Sequence, residues 1–213
     1  GATAVPVAGQ EQVTLTVTVE TDAGATVQGA AITASWDGGS SSASTSANGK
    51  AFVDVPEGAN VTIEIDHPDY VRNHPVTVLD ATEQDVSITV YEKASAAIQV
   101  QDTSAAVDGA TVNLYKHGRL AVSKRTENGR IDTGVLEAGN YFVTVVKPGY
   151  YMERFRMDIA NTTTKTVVVE RGTVTLHVNV TDPHFIPPEP VEGVTMAVDD
   201  VGSVMTQPTG TQQ

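Results

Sequence analysis

The densest set of ligand-type side chains in the sequence is Asp66-His67-Pro68-Asp69, with His74 close behind. Two carboxylates and two imidazoles at this spacing could ligate zinc or a similar cation. A polar corner shaped by Pro68 accounts for the same residues. A matching stretch later in the chain reads Lys147-Pro148-Gly149-Tyr150 and offers no such ligands. The corner therefore forms without metal, and neither a metal nor another cofactor is expected. Asp182 and Asp199-Asp200 are the remaining acidic candidates, for calcium. Calcium needs about six or more converging oxygens, and the sequence has no Asp-x-Asp-x-Asp-Gly loop. These three read as solvated strand ends.

Covalent catalysis needs a nucleophile, a base and an orienting acid. The five histidines, His67, His74, His117, His177 and His184, are scattered, cysteine is absent and no Gly-x-Ser-x-Gly elbow occurs. No catalytic residue is assigned, and the chain is expected not to be an enzyme. Trp36, followed by Asp37-Gly38-Gly39, could stack a sugar ring. Its parity with Ala30, Ile32 and Ala34 makes it a core-side aromatic instead. Three Asn-x-Thr sequons, at Asn60, Asn161 and Asn179, are candidate glycosylation sites if the protein is exported.

The residues that would hold such sites sit in a repeat. Gly29-Ala30 matches Gly109-Ala110, Asn48-Gly49 matches Asn128-Gly129, and Tyr70 matches Tyr150, each at a spacing of 80. A third copy begins at Thr173 and contributes the anchor Gly193. Gln12 to Glu20 places Val13, Leu15, Val17 and Val19 on one side and Thr14, Thr16 and Thr18 on the other. That period of two marks a strand with one face on a core. Val86-Ile88-Val90, Ile98-Val100 and Val174-Leu176-Val178 repeat it. Asn48-Gly49 and Asn128-Gly129 are expected to form type I′ hairpin turns, which need positive φ at both residues. Tyr70 and Tyr150 are expected to cap the core where a strand begins. No stretch keeps a helical period.

The fold class expected is all-β: tandem Ig-like antiparallel β-sandwiches, two complete and a third partial. Residues 1–11 form an N-terminal segment, 12–93 and 94–172 two sandwiches, and 173–213 a partial third. The junctions Lys93-Ala94-Ser95 and Arg171-Gly172 are short, which predicts a stiff rod. Half a sandwich would expose Val194, Met196 and Val198, so another chain or further residues would complete it. The proline-rich stretch Pro183 to Pro190 reads as a stiff loop at its edge.

These anchors resemble the carboxypeptidase regulatory-like domain, a prealbumin-like (transthyretin-like) relative of the immunoglobulin sandwich. The residues that carry the resemblance are Gly109-Ala110-Thr111-Val112, Thr126-Glu127-Asn128-Gly129, Leu136-Glu137-Ala138-Gly139-Asn140-Tyr141 and Gly149-Tyr150. Residues 12–172 carry it twice. It implies the sandwich fold and a spacer, stalk or accessory role. Related surface modules place a crosslinking Lys in the first strand. Neither Gln12 to Glu20 nor Ala96 to Gln101 contains Lys, so no such crosslink is expected there.

Composition narrows the partners. The 26 Asp and Glu exceed the 13 Lys and Arg, giving a net charge of -13 that repels phosphate backbones, so no nucleic acid is expected. A 40% hydrophobic content suffices for packed cores, and no apolar run spans a bilayer. The expected role is a non-catalytic structural or adhesive surface protein: a stalk, filament or surface-layer element. Its partners would be other protein subunits, in a homo-oligomer or surface assembly, and its place extracellular or on the cell surface. A virion appendage (turret, fibre or decoration protein at the virion surface) and an accessory domain of a secreted enzyme are the alternatives.

Overall fold

A computed structural model describes residues 10–172 continuously. Beyond them it describes 178–179, 181–182, 189–190, 195–198, 202–205 and 211–212, as short strands paired two by two. The anchor Gly193 and the apolar Val194 lie outside the described residues, as does most of the proline-rich stretch. Every element among the described residues is a strand.

The first sandwich follows from the alternation read above. One sheet contains β1 (Gln12–Thr21), flanked by β4 (Lys50–Pro56) and the front of β8 (Gln84–Gln101). The other runs β3 (Gly39–Ser44), β2 (Ala31–Trp36), β5 (Val61–Asp66), β7 (Val76–Val78). Leu15, Val17, Val19, Ile32, Val53 and Ile63 face one another between the sheets and are excluded from solvent. The second sandwich repeats the plan. The back of β8 pairs with β11 (Arg130–Asp132), β12 (Leu136–Glu137) and β15 (Asn161–Val168). The facing sheet is β10 (Arg119–Arg125), β9 (Thr111–Lys116), β13 (Gly139–Val146), β14 (Glu153–Ile159). Ile98, Val100, Leu114, Tyr141 and Val143 fill its core. Gly29 and Gly109 precede the equivalent strands β2 and β9, both in the left-handed region.

Two expectations need correction. The sandwiches are not wholly antiparallel: β1 runs parallel to β8 from Leu15–Gln84 to Thr21–Val90, and β15 runs parallel to β8 from Asn161–Ala94 to Val168–Gln101. First and last strands of each sandwich are neighbours, and the chain crosses between sheets in the meantime. The Asn-Gly turns also differ. Glu127 and Arg130 exchange backbone hydrogen bonds across Asn128 (φ 51) and Gly129 (φ 73), the type I′ geometry. In the matching turn of the first sandwich Gly49 has positive φ (76) and Asn48 does not. A turn closed by Gly49 N–H to Ser46 O stands there, with the Ser46 hydroxyl donating to Asn48 Oδ1. Neither turn joins paired strands. Each carries the chain from one sheet to the other.

The glycines are required by contact. Gly49 O accepts from Val19 N–H, and a Cβ on Gly49 would lie 2.8 Å from Val19 O. Gly129 O accepts from Val100 N–H, and its Cβ would lie 2.8 Å from Val100 O and 2.7 Å from Ala106 Cβ. Beside each glycine sits a buried threonine clasp. Thr45 Oγ1 donates to Val27 O and accepts from Ala30 N–H; Thr126 Oγ1 does the same with Val107 O and Ala110 N–H.

Lys93 to Ser95 lies in the middle of one strand. β8 has 18 residues, roughly 60 Å of chain at about 3.3 Å each. Val86, Ile88 and Val90 enter the first core, and Ala94, Ala96, Ile98 and Val100 enter the second. One parity of one strand closes both cores, interrupted only by exposed Glu92.

Candidate functional site at the junction of the two sandwiches

Around the midpoint of β8 the sandwiches meet through polar side chains. β6 (Tyr70–Val71) pairs with Glu92 and Tyr91, and β12 pairs with Ala94 and Lys93, so both sandwiches grip adjacent residues of one strand. The loop after β6 is anchored by Arg72, which donates to His74 O and to Thr89 O on β8. That clamp presents Asn73 to the second sandwich. Asn73 N–H donates to Glu137 Oε2 at 2.7 Å, and Glu137 N–H donates back to Asn73 Oδ1 at 2.9 Å. Asn73 Nδ2 donates to the Tyr141 hydroxyl at 3.0 Å, which donates in turn to Glu137 O at 2.6 Å. Ala138 N–H donates to Glu92 O.

The other carboxylate oxygen of Glu137 holds a buried cation. Lys116 Nζ lies 2.9 Å from Glu137 Oε1, donates to Ala138 O, and sits 3.4 Å from the centre of the Tyr91 ring. The Lys116 side chain is 6% exposed and that of Glu137 11%. A buried ion pair survives only when further hydrogen bonds satisfy both partners. Here Asn73, the Ala138 carbonyl and the Tyr91 ring do so. Burial pushes the Tyr141 phenol up to about 12, reinforced by Glu137 and opposed by the Asn73 hydrogen bond. Burial and Glu137 also raise Tyr91.

The sequence did not single out these residues as a site. The legible signal was Lys116 itself: it occupies an inward parity on β9, between Leu114 and the turn, where a cation must find a partner. Glu137 stands in the stretch that carries the family resemblance, and Asn73 is 64 residues from it.

The residues singled out above lie elsewhere. His67 receives Asp69 N–H on Nδ1 at 3.0 Å, and its Nε2 is 3.0 Å from Gln28 O. Both ring nitrogens are engaged, leaving no lone pair for a metal, and Asp66, His67, Asp69 and His74 are not gathered into a ligand cluster. Trp36 is half-buried and packs on the first core. Tyr70 packs beside His67, with ring centres 5.1 Å apart, and Tyr150 donates to Asp102 Oδ2 at 3.0 Å. Ser104 and Ala105 N–H groups hold the Asp102 carboxyl well below the usual carboxylate range. Asn60 is exposed and its Oδ1 accepts from Asp80 N–H. Asn161 is exposed with φ 50 at the start of β15, and Asn179 pairs with Thr211.

The chain is thus an all-β protein of Ig-like sandwiches. No family model and no curated protein matches it. Among solved structures it is similar to the TIE protein of Bacillus anthracis, at 16% identity and a TM-score of 0.36, covering 75% of this chain and 34% of that one. It is similar to a streptococcal ancillary pilin at 15% identity and a TM-score of 0.37, covering 76% and 62%. It is also similar to GBS52, the minor pilin of Streptococcus agalactiae, at 12% identity and a TM-score of 0.37, covering 77% and 98%. This chain therefore spans about a third of the first protein's length and less than two thirds of the second's. No helix among the described residues is long and apolar enough to cross a membrane.

Proposed function

We propose that the chain is a non-catalytic structural protein of a cell or particle exterior, in which sandwich modules are held in line to project what they carry. The modules are 12–93 and 94–172, with 173–213 beginning a third. The observation that carries this reading is the junction. A hinge would need a linker with few contacts; here one continuous strand serves both cores, and a buried network locks Asn73 of one sandwich onto Glu137 and Tyr141 of the next. Such an investment fixes relative orientation, which a stalk or filament needs. The carboxypeptidase regulatory-like resemblance fits the same role, and partners would be further protein subunits. The reading rests on the junction rather than on the likeness to pilins.

Two measurements test it. Spin labels at exposed Thr77 and Arg154, one on each sandwich, should give a single narrow distance distribution in the whole chain. Antibody against the folded protein should label intact cells or particles of its source. A broad distance distribution removes the rod, and labelling only after permeabilisation removes the surface location.

A further inference from the structure

The net charge conceals an uneven distribution. Residues 1–93 hold three Lys and Arg against thirteen Asp and Glu, a balance of -10. Residues 94–172 hold ten against eight, a balance of +2. The second sandwich is thus the one part of the chain suited to receive an anion, and its outer sheet face has a place for one.

In the sheet β10-β9-β13-β14, Tyr115, Phe142 and Arg156 stand in one cross-strand row. The two aromatic rings are 6.3 Å apart and tilted by 41°. They form the floor of a cleft of about 490 Å³, within the range of roughly 300–1,000 Å³ typical of ligand sites. The Arg156 guanidinium lies 5.7 Å from the Phe142 ring centre. It donates to Asn140 Oδ1 at 3.1 Å, and Asn140 Nδ2 donates to Asp158 at 2.9 Å, so the cation is held in place while its other N–H groups remain to bind. His117 and Gly118 form the rim, in a two-residue turn with φ of 50 and 76.

The fold does not need these residues. In the first sandwich the same row reads Ser35, Thr62, Thr77. Neither ring nor cation stands there, and the sheet forms all the same.

We propose that this cleft binds an acidic saccharide, with a pyranose face on Tyr115 and Phe142 and a sugar carboxylate on Arg156. The strands beneath it favour a sugar over a peptide. β9 pairs on both sides, with β10 and β13, and β13 pairs with β9 and β14. Their backbone groups are spent within the sheet, whereas an added peptide strand gains affinity from free main-chain groups. What the floor offers is side chains alone: an apolar surface, one cation, and the neutral donors and acceptors of Asn140 and Thr144. A ring with one apolar face, several hydroxyls and a single carboxylate satisfies all of them. The inference goes beyond the structural role above and does not depend on it.

The test is calorimetric titration of the whole chain with tri-galacturonate, sialyllactose and a hyaluronan tetrasaccharide, each beside a neutral oligosaccharide of equal length, with poly-L-glutamate as the peptide probe. At least one acidic saccharide should bind about ten-fold or more tightly than its neutral counterpart, the worth of one charge-assisted pair. Arg156→Gln should remove that preference. Tyr115→Ser and Phe142→Thr copy the first sandwich's residues and should fold, as a thermal melt will verify, yet abolish binding. Failure of all three saccharides, binding that survives Phe142→Thr, or equal binding of poly-L-glutamate would each overturn the assignment.

Discussion

The entry corners of the two sandwiches occupy the same three places in the fold and are filled in opposite ways. In the first, Trp36 ends β2, Pro56 ends β4 and Val61 begins β5. In the second, the equivalent places hold Lys116, Glu137 and Tyr141. The apolar corner packs on its own core. The polar one is complete only when Asn73 arrives from the preceding sandwich. One backbone plan therefore serves either as an end or as a socket, and side chains alone decide which.

Breaking the socket should have the largest effect. Glu137→Ala leaves the Lys116 ammonium buried without a counter-ion and Asn73 N–H without an acceptor. A loss of about 3–5 kcal/mol is expected in urea unfolding. The double substitution Lys116→Met with Glu137→Leu makes the corner apolar, like the first one. It should recover most of that stability while broadening the distance between labels on the two sandwiches. Recovery without broadening would show that β8 alone sets the orientation.

Two left-handed glycines of the second sandwich should behave differently, because only one of them touches a neighbouring strand. Gly129→Ala forces a Cβ against Val100 O and Ala106 Cβ, at φ 73, and should lose about 3 kcal/mol by chemical denaturation. Gly118→Ala, at φ 76 with open space around it, should lose only about 1 kcal/mol. Equal losses would mean that the conformation, not the contact with the first strand of the sandwich, requires glycine.

Tyr141 separates the corners by pH, since Val61 holds its place in the first sandwich. Its phenol is raised from 10.0 to about 12. Below pH 10 it is protonated in folded and unfolded chains alike, and its contribution is fully present. Between pH 10 and 12 the unfolded chain loses the proton first, so stability falls as pH rises. The loss should reach roughly 2–3 kcal/mol above pH 12. Tyr141→Phe should flatten that slope, and an unchanged slope would assign it to other groups.

Much of this plan could be read from the sequence, for a physical reason. A strand with one face buried must alternate, so Val13 to Val19 and Ala110 to Leu114 announced their cores. Close approach admits only glycine, so Gly49 and Gly129 recurred at one spacing. The parallel pairing of β1 with β8 left no mark, because alternation is the same in either direction. The junction was hidden for another reason. Its members come from a loop, two strands and a hairpin far apart in the chain, and they occur once, outside the repeat that marks the rest of the plan. The cleft on the second sandwich was missed for the same cause: Tyr115, Phe142 and Arg156 align across strands, and their repeat partners are Ser and Thr.

The clasps offer a more symmetric comparison. Thr45→Val and Thr126→Val each remove one hydroxyl that donates to a buried carbonyl and accepts from a buried N–H. Each should lose about 2 kcal/mol, and by nearly equal amounts. A difference above about 1 kcal/mol would show that the two sandwiches contribute unequally to the unfolding barrier or midpoint, as a cooperative shared strand would otherwise prevent.

The smallest effect belongs to the closing tyrosines, Tyr70 and Tyr150. Each pairs through its own backbone with the chain near the end of its sandwich's last strand, Tyr70 with Glu92 and Tyr150 with Arg171. Tyr150 adds a hydroxyl bond to Asp102, the residue that also receives Ser104 and Ala105 N–H and so shapes the turn after β8. The first sandwich shapes the matching turn with Thr21, whose Oγ1 accepts from Ala25 N–H, and does not use Tyr70. Tyr150→Phe should therefore lower stability by about 0.5–1 kcal/mol, while Tyr70→Phe should change it by less than about 0.5 kcal/mol. Thermal unfolding of the two variants side by side measures this. An equal or larger loss for Tyr70→Phe would place the role of both tyrosines in a hydroxyl bond common to the two sandwiches, rather than in the ring that closes each core.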